Sequence, residues 1–123
     1  MPRASCLLLP ILCLTAPAFA QNEEGPGFTL YQQACRTCHV MEEGDHRLGP
    51  SLAGIVGSEA GSADGFGYSS TMAQSTVVWD EASLDAFLAD PAGFMPGNAM
   101  VYQGMPSPED RAAVIDYLSG AEG

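Results

Sequence analysis

The chain contains no lysine. Its four cationic side chains are all arginines, set against fifteen carboxylates, and the formal charge is −11 in 123 residues. A surface this acidic repels phosphate backbones and anionic lipid headgroups, which excludes nucleic acid and a charged membrane face as partners. It favours solubility and docking to a positively charged surface. Cysteine is scarce as well. Of the four present, Cys6 and Cys13 lie in an N-terminal leader, so only Cys35 and Cys38 remain for the folded part. A pair three positions apart closes too small a loop to constrain an unfolded chain much. These two cysteines are there for chemistry and not as a staple. Long apolar runs are missing too: the stretch from Leu7 to Leu14 is too short to span a bilayer, no later segment looks transmembrane, and stable membrane insertion is not expected. Alternating strand patterns and internal repeats are also lacking.

The leader itself is informative. "MPRASCLLLPILCLTAPAFA" has an arginine near its start, an apolar centre and the small-x-small ending Ala18-Phe19-Ala20. This is the pattern of a secretory signal peptide at residues 1–20, cleaved after Ala20. Ile11 and Leu12 are too bulky for Cys13 to act as a lipoprotein site. Residues 21–123 remain and suffice for a single domain.

Glycine and proline punctuate that domain heavily. "FTLYQQACRTCH" follows Gly-Pro-Gly and spaces Phe28, Tyr31 and Cys35 as one helix face. From Val40 to Gly67 comes a long glycine-rich loop. "SSTMAQS" suits one or two helical turns. In "WDEASLDAFLADP", Asp80 caps a helix whose face is Leu84, Phe87 and Leu88, and Pro91 ends it. "DPAGFMPGNAMVYQGMPSP" reads as a second loop. The last helix has Ser107 as N-cap, Pro108 at its first position and Asp110 completing a Ser-x-x-Asp box. Val114, Tyr117 and Leu118 form its apolar face, and Gly120 stops it. The fold class is therefore all-α, with about three main helices and two long loops. So much loop buries little apolar surface for the chain entropy lost on folding. A large, flat, apolar prosthetic group would give both loops something to pack on.

The stretch "ACRTCHV" offers the means to hold one. A thioredoxin-like redox pair would follow a strand, and no strand is expected here. Zinc would draw on Cys35, Cys38, His39 and His46, but Cys38 and His39 are adjacent and a second ligand pair at the usual distance is absent. Haem fits each position. Two thiols one helical turn apart can bond two vinyl groups on one edge of the ring, and the histidine beside the second thiol is carried beneath it to bind iron. Cys-x-x-Cys-His is the attachment signature of c-type haem. Cys35 and Cys38 are thus the thioether residues and His39 the proximal ligand. His46 lies too near His39 in sequence to reach the other face of the ring. Met41 is also too close. Met72, Met95, Met100 and Met105 could each reach, and spacing does not choose among them.

With "CRTCH" followed by "LGPSLAGIVG", "GFGYS", the lone tryptophan of "VVWD", "DPAGFMPGNAM" and "AAVIDYL", the chain resembles class I c-type cytochromes. The likeness is to bacterial cytochromes of the c2 and c-550 kind and to mitochondrial cytochrome c, from about Gly27 to Leu118. The resemblance implies the cytochrome c fold around one covalent haem c, with Gly27, Tyr31, Val114, Tyr117 and Leu118 where the terminal helices meet. It implies Met100 as the second axial ligand and Pro50 as the residue whose carbonyl accepts a hydrogen bond from the proximal imidazole. Tyr68 and Trp79 match residues that bond a buried propionate, Asn98 replaces a threonine beside the ligand methionine, and His46 matches a histidine that ties two loops together. The chain departs from the mitochondrial pattern in having no lysines around the haem edge, Ser58 in place of a propionate-binding arginine, and Phe87 in place of a tyrosine. The expected function is a periplasmic one-electron carrier, monomeric and not an enzyme, working between redox proteins whose docking sites carry basic patches. The rival is a haem enzyme or gas sensor of the same fold whose methionine dissociates.

Overall fold

The computed structural model describes residues 11–14 and 25–120. The leader reading and its cleavage after Ala20 fall largely outside these residues. Five helices follow one another: α1 (Pro26–Ala34), α2 (Ser70–Ala73), α3 (Glu81–Ala89), α4 (Pro91–Phe94) and α5 (Pro108–Gly120). Among the described residues no strand forms. A single antiparallel bridge pairs Glu59 with Val78. The all-α expectation holds, with three long helices and two that are barely one turn.

Helix α1 is shorter than its sequence pattern suggested and stops at Ala34. Beyond it the regular ladder ends and carbonyls are shared: Cys35 N–H and Arg36 N–H both donate to the Tyr31 carbonyl, and Cys38 N–H and His39 N–H both donate to the Cys35 carbonyl. The whole of "CRTCH" is therefore a hydrogen-bonded turn hung from the end of α1.

Helix α3 starts as expected. The Asp80 carboxylate accepts from Ser83 N–H at 2.8 Å, and the Ser83 hydroxyl in turn accepts from Asp80 N–H at 2.9 Å. Helix α4 lies inside a segment read as loop. Asp90 accepts from Gly93 N–H at 3.0 Å, and Pro91 stands at the first helical position. Asp-Pro here does what Ser-Pro does at α5, where Ser107 Oγ accepts from Asp110 N–H at 3.2 Å. A fixed proline φ and a capping oxygen favour a helical start. The signal was present in the sequence and was masked by the two glycines and the second proline that follow.

The core forms where α1, α3 and α5 meet. Helix α1 packs most extensively on α5, and α3 packs on both α4 and α5. Val114 is completely buried, and Tyr31, Leu84, Phe87, Ile115 and Leu118 are buried around it. The Tyr117 ring stacks at a tilt between Phe28 and Tyr31, with centroids 5.7 and 5.2 Å away. The five residues expected at the terminal-helix contact are thus found there. Gly27 allows it: a Cβ at that position would run into the Ala113 carbonyl and the Tyr117 Cβ.

The loops are ordered by backbone hydrogen bonds. Leu52 N–H donates to the Val40 carbonyl, Ala60 N–H to Val77, and Gly57 N–H to Trp79 at 2.7 Å, while Trp79 N–H returns to Ser58 at 2.8 Å. These bonds place Trp79 beside Phe87, ring centroids 4.9 Å apart. The second loop is tied back by Met105 N–H donating to the Leu88 carbonyl at 2.8 Å. Arg111, on α5, pairs with Asp85 of α3 and donates to the Met105 and Pro106 carbonyls.

Gly27→Ala should lower stability. Alanine gains about 1 kcal/mol of helix propensity over glycine, but the new Cβ meets a backbone carbonyl that cannot rotate away. Overpacking of this kind costs roughly 1–3 kcal/mol. The expected outcome is a lower denaturation midpoint, read by urea titration against the unchanged chain.

Candidate haem site

The turn after α1 sets three functional side chains in succession. Cys35, Cys38 and His39 are all half-buried. Burial first, and the neighbouring Cys38 second, push the Cys35 thiol up to about 11. A thiol in that environment is protonated at neutral pH and is a poor redox nucleophile. Among the described residues no three His, Cys, Asp or Glu side chains gather into a metal-binding group. The zinc and redox-pair readings of "ACRTCHV" therefore gain nothing from the geometry.

The His39 imidazole is held on two sides. Its Nδ1 lies 2.7 Å from the Pro50 carbonyl. A carbonyl only accepts, so the proton sits on Nδ1 and Nε2 carries the free lone pair. Gly49 lies flat against the ring, and a Cβ there would overlap the imidazole atoms. Gly49 N–H is itself fixed by the Cys38 carbonyl at 2.8 Å. The Tyr31 hydroxyl donates to the His39 carbonyl at 3.2 Å, which links the turn to the terminal-helix core. A neutral imidazole oriented by a backbone carbonyl and presenting Nε2 is the form that binds a metal.

Met100 is half-buried and packs against the same hydrophobic cluster as Cys35, Leu52 and Val77. Met95 and Met105 are 5% and 6% exposed and are core residues. Asn98 holds the Met100 loop closed. Its Oδ1 accepts from Met100 N–H at 2.9 Å, and its Nδ2 donates to the Pro91 and Met95 carbonyls at 2.9 and 2.8 Å. Both amide hydrogens are thus committed to backbone. Asn98 thus shapes the loop from within. Two residues beyond Met100, burial raises the Tyr102 phenol, with the Cys35 thiol as the second cause. Tyr102 packs on the same hydrophobic cluster as Met100 and Cys35.

Trp79 is buried, with its indole against Phe87 and Phe94. The Tyr68 hydroxyl accepts from Ala63 N–H at 3.1 Å, a bond that leaves its own proton to be donated elsewhere. Ser58 Oγ donates to the Ile55 carbonyl at 2.7 Å. An open cleft of about 530 Å³ lies between the residues around α2 and α4, lined by Thr71, Gln74, Ser75, Phe94 and Met95 among others. It contains none of the residues assigned to the haem.

A helix-ended turn with two thiols and an oriented imidazole, a methionine loop returning to it, and an apolar core between them define a haem-attachment protein. Residues 25–122 match the cytochrome c family model, described as "Cytochrome c", and the chain belongs to that family. It is 50% identical over 84 residues to cytochrome c2 iso-2 of Magnetospirillum fulvum, covering 68% of this chain and 88% of that protein. It is 40% identical over 113 residues to cytochrome c2 of Rhodomicrobium vannielii, covering 91% and 90%. The structure superposes on cytochrome cH from Methylobacterium extorquens with a TM-score of 0.72 at 35% identity, covering 77% of this chain and 95% of that one. The cofactor is covalent haem c, and the chain is a class I c-type cytochrome that carries electrons.

Asn98→Ala removes one acceptor and two donors from the methionine loop. The Pro91 and Met95 carbonyls keep the Met95 and Asn98 N–H groups as donors, but the Met100 N–H loses its partner, and an unsatisfied buried donor costs roughly 1–3 kcal/mol. The Met100 amide should then exchange its hydrogen faster, as hydrogen-exchange mass spectrometry of the 96–101 segment would show, while α5 stays protected.

Proposed function

We propose that this chain is a periplasmic one-electron carrier whose haem is bound through Cys35 and Cys38 and ligated by His39 and Met100. The observation that carries the reading is the 2.7 Å contact of His39 Nδ1 with the Pro50 carbonyl on the turn that holds both cysteines. Haem c supplies a one-electron iron couple. The protein supplies the rest. Cys35 and Cys38 anchor one edge of the ring, His39 donates its Nε2 lone pair, and the Pro50 carbonyl keeps that ring in the donating tautomer. Met100 offers a soft thioether, which favours the reduced state and raises the potential. Asn98 fixes the loop from which it is offered. Tyr68 and Trp79 would offer a propionate a phenol proton and an indole N–H, the polar handles that buried aromatic rings need to satisfy. With His39 and Met100 both bound, small molecules would find no open coordination site, which supports a carrier and not an enzyme.

Residues 1–20 are read as a signal peptide cleaved after Ala20, with 21–123 as one domain. Among the described residues no helix is long and apolar enough to cross a membrane. Export to the periplasm is where covalent haem attachment and soluble carriers of this kind meet. The chain acts as a monomer and docks on redox proteins that carry basic patches, a reading supported by its formal charge of −11.

Two experiments test this. Protein matured in the periplasm should give a pyridine haemochrome spectrum for one haem per chain. Met100→Ala should keep that haem but lose the thioether signature in the visible spectrum and shift to a lower potential. An unchanged spectrum and potential would exclude Met100 as ligand. The second concerns docking: electron-transfer rates with a physiological partner should fall as ionic strength rises, since charge steering is screened by salt. A flat salt profile would remove basic docking patches from the proposal.

A further inference from the structure

His46 makes two hydrogen bonds that fix its own tautomer. Its Nδ1 accepts from the Ser51 backbone N–H at 3.0 Å. An accepting nitrogen carries no proton, so in the neutral ring the proton sits on Nε2, which donates to the Asp64 carbonyl at 2.8 Å. The Ser51 N–H belongs to the same peptide group as the Pro50 carbonyl, and His39 Nδ1–H donates to that carbonyl at 2.7 Å. Two imidazoles therefore bind the two ends of one amide. Amide resonance joins those ends. An acceptor on the N–H side raises electron density on the oxygen, and hydrogen bonds in series polarise one another in this way.

The peptide is held as part of a built node. Ser51 is 8% exposed. Its hydroxyl donates to the Glu42 carbonyl at 2.6 Å and accepts from Ala53 N–H at 3.2 Å. His46 packs against Phe66, with ring centroids 5.8 Å apart, and against Gly65. The charged groups around it are Asp45 and Arg47 on its own loop, Glu42 across the Ser51 contact, and Asp64 on the opposite loop. Asp45 is engaged by Arg47 through both carboxylate oxygens, at 2.7 and 2.8 Å.

We propose that His46 is a positioning residue for His39, acting through the Pro50–Ser51 peptide: it holds the peptide in place and polarises its carbonyl, and so sets how strongly His39 Nε2 donates. The inference rests on the reading of His39 as an axial ligand. It goes beyond a tie between two loops, which would affect stability and leave His39 unchanged. The direction of the effect follows from the bonds. With neutral His46 accepting from Ser51, the Pro50 carbonyl is a stronger acceptor, His39 gains imidazolate character, and the oxidised state is favoured. With no acceptor on the Ser51 N–H, the carbonyl weakens and the potential rises.

The test compares the His39 Nδ1–H resonance, by proton–nitrogen NMR, and the midpoint potential in the holoproteins of wild type, His46→Gln and His46→Phe at one pH. Glutamine can accept from Ser51 and donate to Asp64, whereas phenylalanine can do neither. Both readouts should stay near wild type in His46→Gln and should move together in His46→Phe, the potential rising. A His39 Nδ1–H resonance and a potential unchanged in folded His46→Phe overturn the proposal, as does an equal shift in His46→Gln. A Ser51 N–H resonance without the downfield position of a hydrogen bond to an imidazole overturns it in wild type alone, whether or not a variant folds. His39 ring resonances with no paramagnetic shift in the oxidised protein would instead remove the axial-ligand reading, and the proposal with it.

Discussion

The structure depends on the peptide group between Pro50 and Ser51. Its carbonyl fixes the His39 tautomer, and its N–H anchors His46. Through His46 it reaches Asp64 on the far side of the glycine-rich loop. Ser51 adds the Glu42 carbonyl. Four segments that share no regular secondary structure are thereby joined at one amide. Each bond alone is worth about 0.5–1.5 kcal/mol net, but their common anchor means that they form and break together. That cooperativity lets a loop of this length keep a fixed shape in a protein with so little core.

The small core also explains the division of labour among the helices. Helices α1 and α5 bury Tyr31, Val114 and Leu118 against each other and need Gly27 to come close enough. At Gly27 the approach is close enough to bring backbone against the Ala113 carbonyl. The segments between α1 and α5 add their own apolar surface to this core. Trp79, Phe87 and Phe94 form an aromatic wall, and half-buried Leu52, Ile55, Val77, Met100 and Tyr102 pack on the core at its margin. The terminal helices are a clasp, and the loops are a lining.

Much of this was legible in the residues. The capping oxygens of Asp80 and Ser107 marked two helix starts. The Asp90-Pro91 start of α4 obeyed the same rule but was hidden among prolines and glycines, whose turn signal outweighed it. The length of α1 was overread because the apolar spacing continues into Cys35, while the backbone leaves the regular ladder there. The hydrogen bonds of His46 and Asn98 could not be read from spacing, since both depend on carbonyls 18 and 7 residues away. The resemblance placed Asn98 where a threonine stands beside the ligand methionine. A threonine has one donor hydrogen, whereas an amide has two and an acceptor on the same plane, which suits it to bracing a loop from within.

Bracing of that kind bears directly on how an electron carrier works. A carrier is fast when its iron surroundings change little between two oxidation states, and the ligand least tied to regular structure is the one most prone to move. Met100 sits on a segment with no helix of its own. The loop is nevertheless fixed at both ends: Asn98 binds it to α4 and its C-cap, and Arg111 clamps the Met105 and Pro106 carbonyls while pairing with Asp85. The Arg111 side chain is 11% exposed, so its charge-assisted bonds are little screened and each is stronger than a neutral one. One amide near the ligand and one guanidinium at the far end thus do for the methionine what the Pro50–Ser51 peptide does for the histidine. The two residues proposed as ligands, His39 and Met100, are thus each positioned through hydrogen bonds to backbone, and a chain with few helices can in this way hold a residue as firmly as a helix would.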